Sequence, residues 1–377
     1  MKRNPLLLAS CCMLFCLASR SQDKIIIPAG TPEDQALQAI TNEQDAQKKL
    51  AMYEDFTQKF SSNLAAVAYG NWQISQIYQG TGDLQKALAY GDKALAGSPN
   101  NLDILVSQAT IAQQLKDNSK VMDYAIKGGG AYSAIGKTKP DGVNDADFAR
   151  SVTESKEAAK NSYEFLESSG FNAIVDEKDP KSRMNYIERF TAAFPDSRFQ
   201  ESITNYALYT LSPGQLNDSA RLVAFGEKAL AANPKSVPVL LLLANSYVED
   251  AKAGSITKAV NYSQKVIELS NADAADADRS RKLSAGAAHS TLGYAYMKQE
   301  KTAAAVPELK AASELLKGQD ATGYAVAMYR LGFAYAKMNK VDNARNVLNE
   351  IAKLDGPMQQ PARDLLMKVN SARAKGK

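Results

Sequence analysis

A five-residue phrase recurs 39 residues apart near the C-terminal end of the chain, and it restricts the fold more than any other feature. Leu292-Gly293-Tyr294-Ala295-Tyr296 returns as Leu331-Gly332-Phe333-Ala334-Tyr335. Nine residues after the last tyrosine of each copy stands an alanine, Ala305 and Ala344. Leu and Tyr four apart share one face of a helix and form an apolar stripe. Gly293 and Gly332, having no side chain, leave room for a second helix to approach. Ala305 and Ala344 are the small residues expected on that second helix. A hairpin of this kind cannot bury its apolar face alone, so the spacing predicts a stack of hairpins.

An earlier stretch repeats the arrangement. Ile74 and Tyr78 take the first-helix positions, Gly82 the turn, Ala87 and Ala94 the second helix and Pro99 the exit, with Trp72 one residue late for the usual Trp position. Together these residues resemble the tetratricopeptide repeat, a helix–turn–helix unit of about 34 residues. The resemblance implies an all-α fold, an α-α superhelix built as a right-handed solenoid of antiparallel helix hairpins. It also implies that the first helix of each hairpin lines the concave surface. The family is defined by packing residues, so the resemblance speaks to fold more than to function.

A longer repeat overlies the short one. Asn42-Glu43-Gln44-Asp45 and Asp176-Glu177-Lys178-Asp179 open two copies; Tyr53-Glu54-Asp55-Phe56-Thr57 matches Ile187-Glu188-Arg189-Phe190-Thr191, and Phe60 matches Phe194. Tyr90-Gly91-Asp92-Lys93-Ala94-Leu95-Ala96 then matches Phe225-Gly226-Glu227-Lys228-Ala229-Leu230-Ala231, and Pro99 matches Pro234. The offset moves from 134 to 135 between the blocks. This reads as a duplicated module, which a stack tolerates because each unit touches only its neighbours.

The expected organisation is a signal peptide over 1–21, a linker over 22–31, a first module over 32–135 and its duplicate over 145–270. Two clear hairpins follow over 274–357, then a capping helix over 358–371 and a disordered basic tail over 372–377. Thr31 and Pro32 suit a helix start. Gly128-Gly129-Gly130 is expected to end a helix over 119–127, and Gly170 a helix near 145–169. No stretch shows sustained strand alternation.

Met1-Lys2-Arg3 precedes an apolar run from Leu6 to Ala18, too short to span a bilayer comfortably. This predicts export, with cleavage between residues 18 and 21, into the periplasm or outside a bacterial cell. Leu8-Ala9-Ser10-Cys11 offers a competing reading, lipidation at Cys11 and tethering at the outer membrane. The three cysteines, Cys11, Cys12 and Cys16, all fall in this segment. The rest of the chain therefore has neither disulfides nor thiolate chemistry. The formal charge is +4, and loss of residues 1–21 leaves 42 basic against 41 acidic residues, or +1. A near-neutral chain has no general field for nucleic acid or anionic lipid.

Catalytic signals are weak. Gly130-Ala131-Tyr132-Ser133-Ala134-Ile135-Gly136-Lys137-Thr138 imitates a phosphate loop but has five residues between its glycines and follows a helix; a P-loop needs four and follows a strand. His289 is the only histidine, one turn before Gly293, where a packing side chain is expected. No carboxylate pair stands in a distinctive motif. The expectation is a non-enzyme with no cofactor and no metal.

Binding is the stronger reading. The register set by Leu292 and Leu331 places Tyr294, Met297 and Lys298 on the concave surface, with Tyr329, Phe333 and Lys337. Tyr69, Trp72 and Gln76 fall there in the earlier module. Aromatic side chains beside lysines suit an apolar peptide carrying an acidic side chain or a C-terminal carboxylate. The expected function is a scaffold or assembly factor of the cell envelope that binds a protein or peptide partner. Two alternatives stand: an outer-membrane-tethered assembly lipoprotein, and a carbohydrate-binding or carbohydrate-acting α-solenoid whose groove aromatics stack on sugars.

Overall fold

The computed structural model describes residues 24–250 and 252–375. Residues 1–21 and Cys11 lie outside the described residues. Those described form seventeen α-helices and no strand. In chain order they are α1 (Pro32–Asn42), α2 (Ala46–Lys59), α3 (Leu64–Thr81), α4 (Leu84–Gly97), α5 (Leu102–Gln114), α6 (Asn118–Ala134), α7 (Asp145–Asp176), α8 (Pro180–Ala193) and α9 (Gln200–Leu211). There follow α10 (Ser219–Ala232), α11 (Val237–Asp250), α12 (Ala253–Ser270), α13 (Arg279–Lys298), α14 (Thr302–Leu316), α15 (Ala321–Lys337), α16 (Val341–Ile351) and α17 (Gln359–Lys375). Two compact units result, Met1–Tyr206 and Ala207–Lys377, so the chain divides within α9, inside the segment matched as the second copy of the long repeat.

Within each unit, consecutive helices pack as hairpins, and next-but-one helices also touch. In unit 1 α5 meets α7 and α6 meets α8; in unit 2 α11 meets α13, α13 meets α15 and α15 meets α17. Odd-numbered helices are the first members of their hairpins, and within a unit those that touch lie side by side. The turns share a device. Gly82, Lys116, Glu300 and Asn339 each take positive φ one or two residues after an odd-numbered helix, and Asn217 does so six residues after α9. Asp83, Asp117 and Asp218 then cap α4, α6 and α10 through their side chains. A left-handed residue reverses the chain in few residues, and the aspartate satisfies an orphan N–H.

The small residues sit where the repeat requires them. A Cβ on Gly293 would lie 2.6 Å from Leu309 Cγ of α14, and one on Gly332 2.7 Å from Leu348 Cδ2 of α16. Ala305 and Ala344 are fully buried. The long repeat has the same physical sense. Phe56 and Phe60 of α2 meet at 5.0 Å between ring centroids, and their counterparts Phe190 and Phe194 meet at 4.6 Å.

Two expectations fail for one reason. Helix α6 does not stop at Gly128; it runs on to Ala134. Helix α7 passes through Gly170 to Asp176. These glycines are contact points rather than helix ends. A Cβ on Gly128 would lie 2.3 Å from Leu166 Cδ1, on Gly129 2.8 Å from the Ala193 carbonyl oxygen, and on Gly170 2.9 Å from Phe190 Cδ2. Burial of α7 and α8 against them outweighs the helix cost of about 1 kcal/mol per glycine. Helix α17 likewise continues past residue 371, through the start of the expected tail. Asp278 caps α13, so the Ala- and Asp-rich stretch before it is a connection.

Candidate functional site

In unit 2 the packing of α13 and α15 decides which side chains remain available. Leu292 and Ala295, and likewise Leu331 and Ala334, turn into the core. Residues two positions on from each leucine, Tyr294 and Phe333, are left on the other side of the helix. Tyr294 is half-buried and Phe333 is 38% exposed. Lys298 Nζ lies 5.1 Å from the Tyr294 ring centroid, and Lys337 Nζ 6.0 Å from that of Phe333. The structure thus sets a lysine beside an aromatic ring at the matched positions of α13 and of α15.

Met297 is not among them. It is 6% exposed and belongs to the core cluster with Leu309, Met328 and Leu331. Three residues beyond Tyr294, it has rotated toward the second-helix layer, and apolar burial holds it there. Tyr329 is half-buried and packs on the same cluster. In unit 1, Tyr69 is half-buried against the first core cluster and Gln76 is exposed. Trp72 is half-buried, and its indole N–H, shut away from solvent, has no hydrogen-bond partner among the described residues.

Arg330 is the residue that repeat reasoning missed. Its guanidinium stacks 4.4 Å from the Tyr294 ring centroid. Nη1 donates to the Ser290 carbonyl at 3.2 Å and to Ser290 Oγ at 3.0 Å. No carboxylate of the described residues forms an ion pair with it. Burial pulls its pKa below the ordinary arginine value, against the attraction of Tyr294 and of Glu249. A signal was present: 330, 333 and 337 follow one helical stripe. Its counterpart one repeat earlier is Thr291, so comparing like with like passed over it. Thr291 instead donates to Asn245 Oδ1 at 2.6 Å, tying α13 to α11.

A second cluster was also invisible to the repeat comparison. In unit 2, Glu227 of α10 accepts from Tyr247 Oη, from Lys258 Nζ at 2.9 Å and from Tyr262 Oη at 2.9 and 3.0 Å. Burial works against its ionisation, but these hydrogen bonds outweigh burial and hold its carboxyl below the usual carboxylate value. Burial first, and then the hydrogen bond to Glu227, push the Tyr262 phenol up to about 12. In unit 1, Tyr124 donates to Asp92 at 2.6 Å, Gln108 Nε2 to Asp92 at 3.3 Å, and Lys120 Nζ lies 3.6 Å from the same carboxylate. Asp92 and Glu227 are matched positions, and Lys120 and Tyr124 recur as Lys258 and Tyr262. The offset has grown to 138 by then, beyond the matched blocks. Each cluster clasps three successive helices; in unit 1 Gln108 Oε1 is left buried without a hydrogen-bond partner among the described residues.

Other chemistry-bearing residues are engaged in packing. His289 is half-buried, with Nδ1 2.7 Å from Glu308 Oε2. Gly130 lies inside α6, so the loop-like glycine string does not form a phosphate cradle. Among the described residues no group of three or more His, Cys, Asp or Glu is arranged to hold a metal, and no helix is long and apolar enough to cross a membrane.

The fold and this face define a helical-hairpin repeat protein whose available groups suit binding. Residues 325–357, which hold α15 and α16, match the tetratricopeptide repeat family model. The α15–α16 hairpin is thus matched as one tetratricopeptide repeat. The chain is similar to the solved P58(IPK) TPR domain, at 11% identity and a TM-score of 0.32, with 92% of this chain and 99% of that one covered. It is similar also to yeast Tom70, at 14% identity and a TM-score of 0.22, with 91% and 95% covered. No curated protein matches it in sequence. The repeat fold indicates a protein–protein interaction scaffold, and proteins of this kind are generally non-catalytic.

Proposed function

We propose that the chain is an exported scaffold or assembly factor of the bacterial cell envelope, and that the α13–α15 face of unit 2 captures an apolar peptide segment bearing a carboxylate. The observation that carries the reading is Arg330. It is a part-buried guanidinium stacked on Tyr294, without an ion-pair partner among the described residues, beside an exposed Phe333. A carboxylate would complete its hydrogen bonding in the planar geometry that arginine favours. Phe333 would receive an apolar neighbour, and Lys298 and Lys337 would attract the anion from the rim. Export rests on the basic start and apolar run of residues 1–21.

Affinity capture from an envelope extract tests the reading, with bound proteins quantified by mass spectrometry. Arg330→Gln should weaken capture of the specific partner by about thirty-fold or more, since truncating one member of a desolvated charge pair costs ~2 kcal/mol or more. Lys298→Glu with Lys337→Glu should weaken it by about three- to thirty-fold, and less at high salt. Undiminished capture by Arg330→Gln refutes the assigned face. Fractionation and N-terminal sequencing test the location: retention of residues 1–21 on a cytoplasmic chain refutes export. Lipid-precursor label at Cys11 would establish the tethered alternative.

A further inference from the structure

Beside α1, α3, α5 and α7 of unit 1 runs a groove that the chain itself partly covers. Residues 24–28 are extended and cross it. Ile25 and Ile27 turn inward and are half-buried, while Lys24 is exposed and Ile26 is 71% exposed. This is the two-residue alternation of a strand laid on a surface. Ile25 and Ile27 line a cleft of about 470 Å³ with Leu37 and Thr41 of α1 and Tyr69 of α3. Lys24 lines another, of about 160 Å³, with Asp103 at the start of α5 and Ala159 and Ser162 of α7. Lys24, Ile25 and Ile27 thereby reach the first helices of four successive hairpins.

A turn holds the segment against α1. Thr31 N–H donates to the Pro28 carbonyl at 3.4 Å, with Gly30 at φ +80 between them. Thr31 Oγ1 donates to the same carbonyl at 2.8 Å, and Gly30 N–H donates to Asp34 Oδ2 at 2.8 Å. Only the turn is bonded in this way. Among the described residues the backbone of 24–27 forms no hydrogen bond, so side-chain contact alone seats it.

We infer that residues 24–28 are a displaceable strap. They partly cover in cis a groove whose external ligand is an extended peptide with apolar residues two apart and a cation directed toward Asp103. A tether this short gives the strap an effective concentration in the millimolar range. An incoming peptide therefore binds more weakly by the fraction of time the groove stands open. The site lies in unit 1 and uses none of the α13–α15 residues, so either assignment can fail without the other.

The test is fluorescence anisotropy of the full chain with a fluorescein-labelled peptide of residues 24–31, titrated into the millimolar range. Two variants release the strap. Ile25→Ser with Ile27→Ser removes its anchors. Gly30→Val places a β-branched residue at φ +80, with nothing within 4 Å of the added Cβ, and so loosens the turn without touching the groove. Both should bind the peptide about ten-fold more tightly than the parent chain. A peptide with serine in place of both inward isoleucines should not bind. Equal binding by parent and variants overturns the inference. So does absence of binding to variants whose circular dichroism matches the parent.

Discussion

Substituting Gly332 by alanine should destabilise unit 2, and the same change should stabilise it once Leu348 is cut back. The added Cβ would lie 2.7 Å from Leu348 Cδ2 and 2.8 Å from Leu348 Cγ. Carbon atoms in good contact are about 3.5–4.0 Å apart, so roughly an ångström of overlap must be relieved. Leu348 is fully buried and has little freedom to move. Overpacking of this order costs about 1–3 kcal/mol. Replacing a mid-helix glycine by alanine returns about 1 kcal/mol. The expected net loss for Gly332→Ala is therefore about 1–2 kcal/mol. Leu348→Ala alone should cost about 2–5 kcal/mol through lost burial and a cavity. In that background the clash is gone and the helix preference remains, so Gly332→Ala should stabilise by about 1 kcal/mol. The implied coupling, about 2–3 kcal/mol, is of the size expected for residues in direct contact. Urea denaturation followed by far-UV circular dichroism, with hydrogen exchange of α15 and α16 amides, measures it. The single tryptophan, Trp72, lies in unit 1, so its fluorescence is the control that should not move. Gly332→Ala effects of the same sign in both backgrounds would refute the close-approach argument.

Neighbouring glycines in α6 should respond in opposite directions. Gly129→Ala meets the Ala193 backbone carbonyl at 2.8 Å and should cost about 1–3 kcal/mol, whereas Gly130→Ala meets nothing within 4 Å and should stabilise by about 1 kcal/mol. Thermal melts that moved the same way would sink the distinction. For Glu227 the folded-state pKa lies below its ordinary 4.5, because hydrogen bonds from Tyr247, Lys258 and Tyr262 outweigh burial. Its stabilising contribution is thus complete above that pH and is lost as the pH falls through the folded-state value. Glu227→Gln should cost about 1–3 kcal/mol at neutral pH and flatten the acid limb of the stability curve of unit 2. Parallel curves for variant and parent would show the clasp to be inert.

The sequence by itself determined the hairpins. Their signals are local and periodic: leucine and tyrosine four apart, a glycine where helices cross, an alanine on the facing helix. Those signals hold at Gly293, Gly332, Ala305 and Ala344 because a helix crossing leaves the same small space each time. Tyr294, Lys298, Phe333 and Lys337 were legible for the same reason, as matched positions of one register. The long repeat located the Phe56–Phe60 and Phe190–Phe194 pairs through simple likeness.

Tertiary structure decided what one letter means in different surroundings. Gly82 turns the chain at φ +84, whereas Gly128, Gly129 and Gly170 lie within helices pressed against distant neighbours, and no local pattern separates the two uses. Met297 went inward because α14 and α15 offered it more apolar contact than the surface did. Arg330 became available because Ser290 and Tyr294 of the preceding odd-numbered helix hold it by two hydrogen bonds and a ring face, while no carboxylate of the described residues forms an ion pair with it. The periodicity of a helix is written into each turn of the chain. The partner across a helix layer comes from 30 or more residues away, and only packing selects it.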